Sequence, residues 1–130
     1  MIGILLLTHG TLGESLIQCC CHVLNRRPLQ IAQLGVSAQD DPLDLLPAAR
    51  KWLQQVDSGE GVIILTDIFG ATPSNVAVKL VEPGRVEAMA GVSLPMLLRV
   101  LTYRDKNDID TVINKAITGG CDGVLHMKGS

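Results

Sequence analysis

Aromatic side chains are nearly absent from this chain of 130 residues: one Trp, one Tyr and one Phe, 2% of the sequence. So few rings supply no stacking platform for bases, and eleven Lys and Arg are scattered against thirteen Asp and Glu, a formal charge of −2. This balance carries no nucleic-acid footprint, and no nucleic-acid partner is expected. Long hydrophobic runs are also missing. The start MIGILLLTHG has no basic region and too short an apolar run for a signal peptide or a membrane span. The expectation is a cytoplasmic protein without direct membrane insertion.

Metal-ligand spacing is absent too. Cys19, Cys20 and Cys21 are consecutive, so on a helix they point in three directions, and adjacent cysteines make poor disulfides. With Cys121 far along the chain, all four are read as ordinary thiols, and neither a metal nor another cofactor is expected. Arg26 and Arg27 read as a solvated face or a helix end.

What the chain does have is aliphatic side chains. Hydrophobic residues make up 47% of the sequence, enough to bury a core without staples at this length. No repeat, low-complexity tract or linker interrupts it, so residues 1–130 are read as a single domain. Ile2–Leu7 is a continuous apolar run, the mark of a strand covered on both faces. Thr11 and Glu14 have capping-box spacing and open a helix through Leu12, Leu16, Cys20 and Leu24, ending before Pro28. Leu29–Val36 is a weaker strand pattern. Asp40-Asp41-Pro42 begins a helix to about Val56; Pro47 inside it implies either a later start or an irregular first turn.

Gly61–Thr66 (GVIILT) reads as the clearest buried strand. After the loop Asp67–Pro73, Thr72 is expected to cap a helix with Pro73 at its first position, running to about Val81 and stopped by Glu82-Pro83-Gly84. Arg85–Val92 is a fourth strand, Leu94 to about Thr102 a helix capped by Ser93, and Asp108–Thr118 a last helix ended by Gly119-Gly120. Gly123–Met127 is read as a short C-terminal fifth strand. The alternation implies an α/β fold, doubly wound, with a mostly parallel four-stranded sheet ordered 2-1-3-4 and helices on both faces.

In such sheets ligands bind beyond the carboxyl ends of the strands, where the strand order reverses. His9 leaves strand one and Asp67 leaves strand three, which are neighbours in that order. Each precedes a helix start rich in small residues: Gly10 and Thr11 after His9, then Gly70, Ala71 and Thr72 after Asp67. Helix N-termini favour anions by roughly 0.3–1 kcal/mol. A histidine with a carboxylate partner beneath two such termini suits a phosphoryl group carried on imidazole, the carboxylate fixing the tautomer and supporting the charge that develops. Taken alone, each residue would be a turn or loop cap; their matched positions favour the functional reading. His22 and His126 lack any surrounding motif and read as structural.

Three segments also carry a resemblance: THG after the first strand, LTDIFGATPSN at Leu65–Asn75, and AGVSLPML at Ala90–Leu97. In order and spacing they resemble the mannose-family enzyme IIA domain of the bacterial phosphoenolpyruvate-dependent sugar phosphotransferase system (PTS), over nearly the whole chain. The resemblance implies a dimerising doubly wound domain, in some members with an exchanged C-terminal strand. It implies phosphorylation by the small carrier protein HPr and transfer onward to a IIB partner, in association with a membrane permease complex. Carried onto this sequence, His9 is the phosphorylated residue, Asp67 its hydrogen-bonding partner on Nδ1, and Nε2 the reacting nitrogen. Thr72 matches a family hydroxyl, and Gly10, Gly70 and Ala71 line the pocket; the family often has glycine where Ala71 stands. Phe69 lies near the docking face with an open role. Around Pro95 a helix start explains the residues locally, and a partner surface is the alternative.

Other readings of the same opening are weaker. Histidine phosphatases carry RHG at this place, but Thr8 replaces the arginine that would grip phosphate bidentately. Tetrapyrrole metal chelatases share a strand-HG start but leave LTDIFGATPSN unexplained. A stand-alone regulatory phosphorelay, or a phosphoryl donor to dihydroxyacetone kinase, shares the same site residues and stays open beside sugar transport.

Overall fold

The computed structural model describes residues 1–129. Strand β1 (Gly3–His9) pairs in parallel with β2 (Ile31–Val36) on one side and β3 (Val62–Thr66) on the other, and β3 pairs in parallel with β4 (Val86–Met89). The order is β2-β1-β3-β4, the one expected. Helices α1 (Leu12–Leu24), α2 (Pro42–Val56), α3 (Thr72–Val78), α4 (Leu94–Tyr103) and α5 (Ile109–Asp122) complete the chain.

The all-apolar strands follow from burial on both faces. Leu5 and Leu7 of β1 and Val62 and Ile64 of β3 pack under α2 and α3, against Leu45, Ala49, Leu53, Val76 and Ala77. The alternate residues Ile4, Leu6, Ile63 and Leu65 face α1, α4 and α5, against Ile17, Cys20, Leu97, Val100, Val112 and Ala116. Period-two alternation along one strand thus feeds two aliphatic cores. Cys20 faces the second core, where burial, then its cysteine neighbours, push its thiol up to about 11; Cys19 and Cys121 are exposed. Among the described residues no cluster of His, Cys, Asp and Glu could hold a metal ion, and no helix is long and apolar enough to cross a membrane.

Several local expectations are corrected. Gly123–Met127 is not a strand: α5 runs through Gly119-Gly120 to Asp122, and the segment after it is irregular. Helix packing overrides the glycine stop, because Gly119 and Gly120 lie against Arg99 and Met96 of α4, where a Cβ would crowd in. The Thr11–Glu14 capping box does not form. Thr11 makes no side-chain cap bond, its ψ of 8° lying outside the extended region. Instead Thr8 Oγ1, from the strand end, accepts from the Gly13 amide at 2.9 Å, while Glu14 pairs with Arg27 at 3.2 Å. Ala71, rather than Thr72, caps α3, and that helix ends at Val78 instead of Val81. Pro47 lies within a continuous α2. Asp41 caps that helix through Leu43 N at 2.9 Å, and its carbonyl is shared by Asp44 N and Leu45 N, the irregular first turn of the two options.

Candidate functional site at the switch point of the sheet

From β1 the chain turns toward β2, and from β3 it turns toward β4, so the strand order reverses between β1 and β3. The parallel register aligns Leu7 with Thr66, which brings the next residues on each strand to a common rim. There His9 and Asp67 meet. The His9 amide donates to Asp67 Oδ2 at 3.0 Å, and His9 Nδ1 lies 2.9 Å from the same oxygen. The second carboxylate oxygen, Oδ1, accepts from the Ile68 amide at 2.9 Å.

The carboxylate is well sunk, its side chain 10% exposed, while the imidazole beside it is 46% exposed. Burial works against the Asp67 charge. The His9 amide, the His9 ring and the Ile68 amide outweigh it and hold the carboxyl below the usual carboxylate range. An ionised carboxylate only accepts hydrogen bonds, so the neutral ring sits as the Nδ1–H tautomer. Among the described residues the ring has no other hydrogen-bond partner, and the Nε2 lone pair remains available.

The small residues around the pair divide into two kinds. Gly10 and Gly70 have φ of +54° and +87°, the left-handed region that favours glycine. Their amides are already spent, Gly10 N on Val36 O at 2.9 Å and Gly70 N on Ser74 Oγ at 3.3 Å. By contrast, the amides of Thr11, Ala71 and Thr72 have no acceptor among the described residues. Thr11 is exposed, and Ala71 and Thr72 are half-buried.

Five further residues build this rim without having been singled out for it in the sequence. Gly35 of β2 lies so close beneath the His-Gly turn that a Cβ would collide with the Gly10 carbonyl oxygen; a glycine inside a strand signals such an approach. Thr8, fully buried, holds the start of α1. Ser74, also buried, holds the Gly70 turn. Gly91 donates to the Asp67 carbonyl at 3.1 Å, and Val92 to the Thr66 carbonyl at 3.0 Å. Much of AGVSLPML is thereby explained as backbone support for the Asp67 loop. Ser93 then caps α4 through Met96 N at 3.2 Å. Phe69 stands out on the same loop, 82% exposed, next to exposed Ile68. His22 and His126 lie away from the site, on α1 and beyond α5.

Known proteins share this architecture. The chain is similar to the mannose-specific EIIAB component of the PTS from Escherichia coli, 28% identical over 129 residues; the match covers 98% of this chain and 40% of that protein. It thus spans about two fifths of that relative's length. Among solved structures, the mannose/sorbose-specific IIA subunit from Enterococcus faecalis superposes with a TM-score of 0.87 at 18% identity, covering 99% of this chain and 96% of that one. The phosphotransferase system component EIIA from Streptococcus agalactiae superposes at 0.86 with 21% identity, covering 97% of each; both likenesses concern the fold. The family model EIIA-man, described as PTS system fructose IIA component, matches residues 3–117, and the chain belongs to that family.

Proposed function

We propose that His9 accepts a phosphoryl group from phospho-HPr on Nε2 and passes it to a IIB partner, in the service of sugar uptake through a membrane permease complex. The observation that carries this reading is the 2.9 Å contact between Nδ1 and a sunken carboxylate, with the ring itself half exposed. Asp67 holds the Nδ1 proton, which leaves the Nε2 lone pair to attack phosphorus. The bond from phosphorus to its donor breaks as the Nε2–P bond forms. No proton needs to move, and the ring gains positive charge as the new bond forms. Asp67 lies where it offsets that charge. The unpaired amides of Thr11, Ala71 and Thr72 are the groups that would hold the phosphoryl oxygens, while Gly10 and Gly70 shape the turns that carry them.

The reading includes a cytoplasmic homodimer. Two features support self-association: β4 is a short edge strand, and exposed Val124, Leu125 and Met127 follow α5 on an irregular segment. Incubation with phosphoenolpyruvate, enzyme I and HPr, followed by mapping of acid-labile phosphate, tests the phosphoryl step. Label is expected on His9 of the wild type and none on His9→Ala. An unlabelled wild type, or full labelling of His9→Ala, defeats the reading.

A further inference from the structure

At the end of the sheet opposite His9, a groove of about 420 Å³ opens between the carboxyl ends of α1 and α4 and the segment leading into β2. Its walls include Leu24, Leu29 and Leu101, and its polar groups include Arg26, Arg104 and Asp105. Arg104 is the unusual member. It is 4% exposed and has no carboxylate within ion-pair distance.

Three of its five N–H donors have backbone acceptors. Nη1 donates to the carbonyls of Ile2 and Gln30 at 3.3 Å each, and Nη2 donates to the carbonyl of Leu29. These bonds tie α4 to the entries of β1 and β2. Two donors are left, Nε–H and one Nη2–H. Nε has no acceptor among the described residues and is not sealed from solvent, and Arg104 is one of the residues that line the groove.

Burial disfavours the Arg104 charge, Asp105 supports it, and Arg26 opposes it more weakly. Arg26 is exposed, lines the same groove and has no ion-pair partner among the described residues. Arg27 beside it is committed to Glu14. Three guanidinium groups therefore line one concavity, Arg27 paired with Glu14 and the other two without an ion pair, and exposed Asp105 is the one carboxylate side chain in the lining. A buried cation satisfied by carbonyls alone, with donors left over, is an electrostatic vacancy for an anion. The leucine walls give that anion an apolar body to match, and the size falls in the range of small-molecule sites.

We propose that this groove binds a small organic carboxylate with an aliphatic chain, its carboxylate between Arg104 Nε and Arg26 and its chain along Leu24, Leu29 and Leu101. The proposal concerns a second site and does not depend on the phosphoryl chemistry at His9.

The probe is hexanoate, titrated into the full chain labelled with ¹⁵N and followed by amide chemical shifts. Saturable shifts are expected at residues 24–30 and 101–105, with roughly millimolar affinity for a fragment of this size. Hexan-1-ol, equal in length but uncharged, is expected to bind several-fold more weakly. Arg26→Gln, an exposed change that leaves the fold intact, should weaken hexanoate roughly three- to tenfold. Asp105→Asn should tighten it roughly two- to threefold. Absence of saturation at tens of millimolar overturns the proposal. So does equal binding of hexan-1-ol, an unchanged affinity in Arg26→Gln, or shifts confined to the His9 rim.

Discussion

Replacing Asp67 by Asn separates charge from shape at the candidate site. The wild-type carboxylate takes three N–H groups, two from His9 on Oδ2 and one from Ile68 on Oδ1. An asparagine has one oxygen and one NH₂. If its oxygen faces His9, its NH₂ meets the Ile68 amide donor to donor across about the same 2.9 Å separation. If the amide turns over, the NH₂ meets the imidazole N–H and the His9 amide instead. Either way a charge-assisted acceptor is lost, worth roughly 1.5–3 kcal/mol. If that support grows as the ring becomes cationic, the same energy enters the barrier, and phosphorylation by phospho-HPr slows roughly ten- to a hundredfold. Initial rates of acid-labile labelling measure this, with circular dichroism confirming an intact fold. Labelling at the wild-type rate by folded Asp67→Asn would refute the role given to the carboxylate. The variant should also alter stability against pH. The Asp67 carboxyl is held below its ordinary value, so its contribution is complete above about pH 4 and is lost as pH falls through the folded value. The wild-type advantage over Asp67→Asn in urea should therefore shrink on acidification below pH 4; an advantage constant with pH contradicts the linkage.

Thr8→Val removes the hydroxyl that holds the Gly13 amide and leaves a buried donor unpaired, a cost of about 1–3 kcal/mol in urea unfolding. Thr11→Ala, at the residue that looks like the cap, should stay within about 0.5 kcal/mol of wild type, since no cap bond is lost. Gly35→Ala forces a Cβ into the Gly10 carbonyl, so about 1–3 kcal/mol of stability and a large part of the His9 labelling rate should fall together. Leu97→Ala, in the core under α4, should cost about 2–5 kcal/mol in the same unfolding assay while the labelling rate of the folded fraction stays unchanged.

The strand order was legible because buried strands are short, aliphatic and continuous, and right-handed crossovers leave few alternatives. That order alone brought His9 and Asp67 to neighbouring strand ends. Details decided by contacts between distant segments were less legible. Thr11–Glu14 has capping-box spacing, yet the bond goes to Thr8, three residues earlier on the strand, and Glu14 is drawn off by Arg27. Gly119-Gly120 reads as a stop signal, but the close approach of α4 makes small residues the ones that fit inside α5. Gly10 and Gly70 look like open amides from their position in the chain; only the folded backbone reveals that Val36 and Ser74 already occupy them. Arg104 gives no local sign that it will be buried, because its three acceptors sit 74 to 102 residues away.

The alternation of β1 between the two aliphatic layers has a dynamic counterpart. Loosening the helices on one side would still leave the strand clamped by the other layer and by both neighbouring strands. Exchange of its amide protons should then demand opening of the whole fold, and His9 rides on the end of that slowest element. The Ile68–Phe69 tip owes almost nothing to either layer. A strand-anchored histidine thus stands beside exposed apolar side chains that neither core holds, so Phe69 can be exchanged without loosening the element that carries His9.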